Sequence, residues 1–301
     1  MVPPIFKDKV QQDLFDKQGF VVVQFLEDSE VAQLDQKFDE LHPSISGQGG
    51  FVSGSYSNDF AYKKKASDDI IAVFSKHFER LFTNYQTFGA AFLYKTPSQG
   101  SELGVHQDWT IVDEEKYVAL NCWVPLTDIN EMNGALHVMP GSHYDKHHTL
   151  RAPTVPFFFM GSEQEVISRT IPFYVKAGEA VILNQSVIHY SPPNRSNSIR
   201  KAITAGVKTK GAPMNFHYKN NNDQIERYQM SEDFLISFEN FATSIFEQPK
   251  SGSLIDSWQY QNGVLGKEKL TPLLDRLKEN AGYKHRSASW ASSILSKLRR
   301  A

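Results

Sequence analysis

LGVHQDW, residues 103–109, places His106 and Asp108 two positions apart in a stretch with the composition of a β-strand. On a strand, successive side chains point to opposite faces, so these two leave the same face and can converge on one ion. The apolar residues that follow continue the pattern, which predicts a strand over 103–112. His106 and Asp108 are therefore candidate metal ligands.

The same spacing occurs a second time, at His143 and Asp145. That pair follows Pro140-Gly141-Ser142, a turn sequence that has no reason to hold two side chains on a common face. His147 and His148 lie close by, among charged residues. This histidine-rich stretch is typical of a solvated loop rather than of a metal cluster.

A third candidate ligand, His189, ends the apolar run 180–189. A turn at Pro192-Pro193-Asn194 with a return strand after it predicts an antiparallel hairpin, which sets Arg200 diagonal to His189. Ser191 would share the face of His189. A guanidinium presents a planar fork of donors that fits a carboxylate, and a hydroxyl is a further donor. The sequence thus predicts an anchor for a dicarboxylate beside the metal.

Two imidazoles and one carboxylate on one side of a metal ion leave its other side open. That ligand set is the facial triad of non-haem Fe(II) oxygenases. The His-x-Asp spacing alone is weak evidence for a metal site, because it also occurs by chance in a chain of this length. The order of the triad residues relative to other motifs in the chain is more specific evidence.

The chain resembles the phytanoyl-CoA dioxygenase family of Fe(II)- and 2-oxoglutarate-dependent oxygenases. The resemblance covers about residues 10–210, in order and spacing, and does not continue beyond about residue 215. The matching pieces are QGFVVV (18–23), FL (25–26), EVA (30–32), HQD (106–108), WVPL (123–126), NGAL (133–136), PGSH (140–143), GEAV (178–181), His189 and Arg200.

This resemblance implies a reaction and a set of roles. The triad would hold Fe(II), 2-oxoglutarate would chelate the metal, and Arg200 with Ser191 would bind its distal carboxylate. O2 is the other co-substrate, and succinate and CO2 are released as an unactivated C–H bond is oxidised. Relatives with Gly or Ala in place of Asp108 can halogenate, so the Asp favours hydroxylation.

Two further residues are expected at the co-substrate. Trp123 and Lys95 lie on predicted strands that flank the metal strand. The resemblance implies that the tryptophan helps to shape the 2-oxoglutarate pocket, and Lys95 is a second cofactor-binding candidate. Ordinary packing for Trp123 and a solvated charge for Lys95 are the alternatives.

The order of elements predicts a mainly β fold with flanking helices. Residues 10–41 have the pattern helix, strand, helix, with Gly19 ending the first helix. Short strands after such helices indicate a double-stranded β-helix, a jelly-roll or cupin-like barrel buttressed by the N-terminal helices. The predicted strands are 85–95, 103–112, 116–127, 134–139, 168–175, 179–190 and 199–207.

Three segments around the barrel are less regular. Residues 44–66 are rich in Gly and Ser and predict a loop, either a lid over the site or a plain surface excursion, before a helix that starts at Ser67. The run Lys63 to Lys65 is typical of a solvated charged face, with CoA phosphates as the alternative partner. The apolar insertion 153–160 is interpreted as a wall of the substrate pocket, with extra core as the alternative.

The C-terminal part predicts a helical extension, residues 246–301, added to a dioxygenase domain of residues 1–245. A helix is expected from Thr271 to about Asn280, and a stripe at Trp290, Ile294 and Leu298 predicts another. These helices would pack on the domain or form a homo-oligomer. The more specific alternative is that these helices bind a membrane surface.

Composition excludes several other classes. The net charge of −2 gives no electrostatic reason to expect a nucleic-acid partner. No apolar run is long enough for a signal peptide core or a transmembrane segment. The single cysteine, Cys122, rules out an internal disulfide framework, so a cytoplasmic location is expected.

The substrate expected from the family is a small molecule. Acyl-CoA thioesters, amino acids, osmolytes and natural-product scaffolds are all substrates of such enzymes, and an amino acid or natural-product intermediate is favoured here. Two other functions stay open: a cupin-like metalloenzyme of another reaction type, and a catalytically silent jelly-roll that only binds a ligand.

Overall fold

The computed structural model describes residues 2–45, 49–145 and 150–283. Its α-helices are α1 (Lys9–Gln18), α2 (Asp28–Leu41), α3 (Phe60–Leu81), α4 (Glu163–Ile167), α5 (Phe234–Ser237), α6 (Phe241–Ser244) and α7 (Lys267–Asn280). Its strands are β1 (Phe20–Gln24), β2 (Phe51–Ser53), β3 (Tyr85–Lys95), β4 (Leu103–His106), β5 (Ala119–Pro125), β6 (Leu136–Val138), β7 (Ile171–Phe173), β8 (Glu179–Asn184), β9 (His189–Ser191), β10 (Arg200–Thr209), β11 (Met214–Lys219), β12 (Gln224–Met230) and β13 (Ser253–Gln259).

These strands form three antiparallel sheets. The major sheet has six strands in the order β1-β8-β5-β10-β3-β2, and the minor sheet has four in the order β4-β9-β6-β7. A third sheet consists of β11, β12 and β13. Apolar side chains from the major and minor sheets share one buried cluster, so these two sheets pack face to face. The cluster includes Val22, Trp123 and Val181 of the major sheet and Leu136, Val138 and Phe173 of the minor sheet.

The N-terminal helices cover the outer face of the major sheet, as the sequence predicts. Phe15 of α1, Phe38 of α2 and Phe74 of α3 belong to one buried cluster with Phe92 of β3. Gly19 ends α1 in the left-handed conformation, with φ 86°, where a glycine carries no Cβ penalty. The helices therefore support the sheet from behind and leave its other face to the minor sheet.

Helix α3 begins earlier than predicted. Asp59 caps it, and its side chain accepts a hydrogen bond from the Tyr62 backbone N–H at 3.0 Å. Ser67, the predicted start, is buried inside the helix. Part of the predicted loop 44–66 is thus regular structure, because β2 and the first turns of α3 lie within it.

The predicted strand 179–190 is two strands in two different sheets. β8 ends at Asn184, whose side-chain oxygen accepts hydrogen bonds from the backbone N–H and the hydroxyl of Ser186. This turn carries the chain from the major sheet to β9 in the minor sheet. The predicted hairpin between His189 and Arg200 is therefore wrong, since β9 pairs with β4 and β6 while β10 pairs with β3 and β5.

The C-terminal region is not wholly helical, contrary to prediction. Strand β13 pairs antiparallel with β12, so the expected domain boundary at residue 245 falls between two strands of one sheet. Helix α7 ends at Asn280 as predicted but begins at Lys267, with Pro272 inside it. The predicted stripe at 290–298 lies outside the described residues.

The apolar insertion 153–160 is core and not a pocket wall. Phe158 and Phe159 are buried against Leu270 and Leu274 of α7, in a cluster that also contains Tyr190 of β9. These residues therefore attach α7 to the outer side of the minor sheet.

None of the helices in the described residues has both the length and the apolar character needed to cross a bilayer.

Candidate metal centre and co-substrate pocket

His106, Asp108 and His189 come together between β4 and β9. His106 and His189 are direct cross-strand partners in this pair, and their ring centroids are 4.2 Å apart. β4 ends at His106, short of the predicted end at residue 112, so Asp108 lies just beyond the strand, held by a backbone hydrogen bond from its N–H to the Gln185 carbonyl at 3.0 Å. Each His Nε2 is 4.0 Å from Asp108 Oδ1.

The two imidazoles are oriented to offer the same nitrogen to a metal. His106 Nδ1 donates to the Gly104 carbonyl at 2.7 Å, and His189 Nδ1 donates to the Val187 carbonyl at 2.9 Å. Those bonds leave both Nε2 lone pairs directed at the shared centre. Burial, and then the neighbouring His189, lower the pKa of His106 to about 4. The ring is therefore neutral near pH 7, which is the form that binds a metal.

The carboxylate has its own supports, which sequence reasoning missed. Asn121 of β5 donates from Nδ2 to Asp108 Oδ2 at 2.6 Å, leaving Oδ1 towards the histidines. Arg151 donates from Nε to the Asp108 backbone carbonyl at 2.9 Å and forms a two-pronged ion pair with Glu114. Asn121 could have been found from strand alternation, because it shares a face with Trp123. Arg151 follows from no local pattern.

His106, Asp108 and His189 fit a metal ion. Their ligand atoms lie within 4.8 Å of one another, and they form the one group of three or more such side chains found among the described residues. Two nitrogens and one oxygen suit Fe(II) with its remaining positions open.

Arg200 lies at the other end of the same pocket. Only 3% of it is exposed, and its Nε and Nη1 have no hydrogen-bond partner in the described part of the chain. Its guanidinium carbon is 5.6 Å from the centre of the Trp123 ring. Burial lowers the pKa of Arg200 to about 10, so it stays charged at neutral pH. A buried guanidinium with free donors fits a ligand carboxylate.

Ser191, Trp123 and Lys95 have different positions relative to this pocket. Ser191 and Trp123 line it together with Arg200. Lys95 is the cross-strand partner of Arg200 but is not among the lining residues. Its Nζ donates to the Ser191 and Pro192 carbonyls at 2.8 and 2.7 Å. Lys95 thus stabilises the turn after Ser191. Its pKa is lowered to about 6, mainly by burial and secondly by the positive charge of Arg200.

One cavity of about 410 Å³ joins the triad, Arg200 and an apolar region. A cavity of this size is in the range of small-molecule sites. At the far side, Trp109 stacks on Phe241 with ring centroids 5.6 Å apart, and Phe241 stacks on Tyr56 at 4.5 Å. The segments 51–56 and 234–245 therefore help to enclose the cavity.

The second pair with the same spacing lies elsewhere. His143 Nε2 donates to the Asp16 backbone carbonyl at 2.9 Å, and His143 does not line the cavity. Burial lowers its pKa to about 4. His147 and His148 lie outside the described residues.

Replacing His143 with alanine is expected to leave metal binding unchanged. The lost hydrogen bond to α1 should reduce the free energy of unfolding by about 1 kcal/mol. Metal content after loading with Fe(II) under anaerobic conditions checks this, with His106→Ala as the variant that should lose the metal. If His143→Ala loses its metal instead, the ligands have been assigned to the wrong pair.

Comparison with known proteins identifies the family. The model of the phytanoyl-CoA dioxygenase family matches residues 15–202. The chain belongs to the phytanoyl-CoA dioxygenase family. The resemblance seen in the sequence is thereby confirmed, and so are Fe(II) and 2-oxoglutarate as the cofactors of this oxygenase family.

Two curated relatives carry the family name. The phytanoyl-CoA dioxygenase domain-containing protein 1 homolog of Dictyostelium discoideum is 28% identical over 156 residues, which is 48% of this chain and 52% of that protein. Phytanoyl-CoA dioxygenase domain-containing protein 1 of Danio rerio is 33% identical over 120 residues, 38% of this chain and 41% of that protein. The chain thus spans about half the length of the curated relatives it matches.

A solved structure shares the fold at low sequence identity. It is the non-heme alpha ketoglutarate dependent carbocyclase SnoK from nogalamycin biosynthesis, with a TM-score of 0.50 and 18% identity. The match covers 69% of this chain and 86% of that one.

Proposed function

We propose that this protein is an Fe(II)- and 2-oxoglutarate-dependent dioxygenase that hydroxylates an unactivated C–H bond of a small molecule. One observation carries the proposal. The open His106, Asp108 and His189 triad lines the same cavity as the buried guanidinium of Arg200, whose Nε and Nη1 have no partner among the described residues. The two facing sheets around that cavity correspond, in this proposal, to the jelly-roll expected from the sequence.

Each residue has a defined task in this reaction. His106, Asp108 and His189 hold the metal, and Asn121 keeps the carboxylate turned towards it. Arg200 binds the distal carboxylate of 2-oxoglutarate through Nε and Nη1, for which the described part of the chain supplies no other partner. Bound Fe(II), 2-oxoglutarate and O2 supply the oxidising chemistry, with release of succinate and CO2.

Ser191 and Trp123 complete the co-substrate end of the cavity in this proposal. Ser191 offers a hydroxyl near the carboxylate, and the Trp123 ring packs beside the guanidinium. Lys95 acts on this end through the turn that carries Ser191, which is a positioning task and not direct binding.

The rest of the cavity holds the substrate. The stacked rings of Trp109, Phe241 and Tyr56 enclose its far side and exclude water from the reacting bond. The segment 51–56 belongs to the stretch predicted as either a lid or a plain surface excursion, and it contributes residues to the cavity wall through β2 and the turn after it.

The test is 2-oxoglutarate turnover. Protein loaded with Fe(II) should consume O2 and release succinate when given 2-oxoglutarate, and a panel of small molecules should stimulate succinate release and yield hydroxylated products. The His106→Ala variant, which lacks a metal ligand, is the control. Succinate release that does not require Fe(II), or none with any compound of a broad panel, contradicts the proposal and favours another metalloenzyme or a silent binding protein.

Two other expectations stay predictions. A homo-oligomer would form through the predicted C-terminal helices, of which α7 is one, and the cytoplasmic location rests on the single cysteine. The first is checked by the mass of the purified protein in solution, and the second by fractionation of cells.

A further inference from the structure

One lysine of the run 63–65 differs from its neighbours. Lys64 and Lys65 form ion pairs on the surface of α3 with Asp68 and Asp69, each at 2.6 Å. Lys63 is 4% exposed and lines the cavity. The solvated face predicted from the sequence is therefore wrong for Lys63.

The ammonium group of Lys63 is buried and has no counter-ion among the residues that the structure describes. Its Nζ donates to the Phe238 backbone carbonyl at 2.5 Å, and an ammonium group has three N–H donors in all. In residues 2–45, 49–145 and 150–283, no carboxylate lies within the 4.0 Å of an ion pair with it. Burial lowers the pKa of Lys63, while the exposed Glu239 and Asp59 at longer range act in the opposite direction. A buried cation is costly unless another group compensates it.

The charged residues that line the cavity limit which chemical group could compensate the Lys63 cation. Apart from His106, Asp108, His189 and Arg200, Lys63 is the one Lys, Arg, His, Asp or Glu among the described residues that line it. Asp108 is the one carboxylate among these described lining residues, and in the proposed function it is a metal ligand. Once Fe(II) and 2-oxoglutarate are bound, the space left for substrate has a mainly apolar surface with some hydroxyl and amide groups, and Lys63 is its single cationic side chain among the described lining residues.

We propose that Lys63 binds an anionic group of the substrate, so that the substrate is a small acid with an apolar body. This inference rests on the proposed function, because it assigns the triad and Arg200 to the metal and the co-substrate. It disfavours cationic amines, for which the described lining offers no free carboxylate. A carboxylate or phosphate held at Lys63 would lie against α3 and direct the apolar part of the molecule at Trp109 and the metal.

If Lys63 had only a structural role, its substitution would affect ligand binding in a different way. Its bond to Phe238 also joins α3 to the segment that carries Phe241. If this were its whole task, a change at Lys63 would loosen the cavity wall and weaken every ligand alike. Discrimination between a charged and a neutral ligand of one shape separates the two possibilities.

The experiment uses three probes of one shape and different charge: 3-phenylpropanoate, 3-phenylpropanamide and 3-phenylpropylamine. Each is titrated calorimetrically, without O2, into wild type and Lys63→Met, both loaded with Fe(II) and 2-oxoglutarate. The wild type should prefer the acid over the amide, and Lys63→Met should lose about 10- to 100-fold in acid affinity with little change for the amide, as expected for a charged hydrogen bond. Lys63→Arg should retain the preference, and Lys64→Met is the matched surface control.

Several results would overturn the proposal. These are no measurable binding of the acid to loaded wild type, equal loss of acid and amide affinity in Lys63→Met, or a similar loss in Lys64→Met. Failure of the proposed function is seen separately, because the loading step itself then shows no binding of 2-oxoglutarate. The acid titration into unloaded wild type and Lys63→Met still reports on Lys63 in that case. Thermal unfolding of Lys63→Met checks its folding, and its Tm should stay near that of wild type, because removal of a buried charge offsets the lost hydrogen bond to Phe238.

Discussion

Asp108→Ala should lose metal affinity and, with it, substrate oxidation. Asp108 is the one carboxylate at the centre, and its Oδ1 lies 4.0 Å from each His Nε2. Loss of groups that merely orient a ligand costs 10- to 100-fold, so removal of a ligand should reduce turnover by about 10²-fold or more. Steady-state succinate release at saturating 2-oxoglutarate, together with iron content, measures both effects.

Asp108→Asn separates the charge from the shape of the side chain. It keeps the volume that Asn121 and the cavity wall contact but lacks the carboxylate, so its turnover should be close to that of Asp108→Ala. Unfolding should occur near the wild-type temperature in both variants, because the side chain is part of the cavity lining. Full activity in either variant with iron retained would refute Asp108 as a ligand.

The elements that the sequence predicts well are those with a local cause. The helical spacing of apolar residues before Gly19 and the strand-like composition of β3 and β10 are visible within a few residues. The pairing of His106 with His189 is not local, but His106 ends the strand β4, His189 follows the apolar run 180–188, and metal chemistry limits which residue types can meet there. For this reason the three candidate ligands could be named before their contacts were known.

Other features depend on contacts that no short stretch contains. Asn184 is a turn residue inside an apolar run, and the turn that its side chain stabilises divides the predicted strand, so that β9 lies in a different sheet from β8 and β10. Arg200 and the triad lie on two packed sheets that face the same cavity. The sequence therefore predicted correctly that Arg200 lies near His189, although the hairpin from which this was inferred does not exist.

Burial of charged residues was the hardest property to predict. Lys63 and Lys95 look like ordinary surface lysines in the sequence, yet they are 4% and 0% exposed. Their burial depends on Phe238 in one case and on the turn after Ser191 in the other, and both partners are far away along the chain. Arg151 is a similar case, since it binds the Asp108 carbonyl from a loop.

Arg200→Met should mainly raise the concentration of 2-oxoglutarate that is needed for turnover. Removal of one partner of a buried charge pair costs about 3–5 kcal/mol, which corresponds to a loss of about two to more than three orders of magnitude in affinity. Turnover at saturating 2-oxoglutarate should fall less than the affinity, because Arg200 is not a metal ligand. The dependence of initial rate on 2-oxoglutarate concentration gives both quantities.

The thermal stability of Arg200→Met separates a role of Arg200 in ligand binding from a role in packing. In the protein without ligand, Arg200 is 3% exposed, and two nitrogens of its guanidinium find no partner in residues 2–45, 49–145 and 150–283. Such a group is destabilising, so an apolar side chain of similar length should leave Tm unchanged or raise it. Arg200→Lys keeps a charge but not the planar fork, and its affinity for 2-oxoglutarate should lie between those of wild type and Arg200→Met. An unchanged requirement for 2-oxoglutarate in Arg200→Met would remove Arg200 from this role. A lower Tm with an unchanged requirement would show that Arg200 is there for packing.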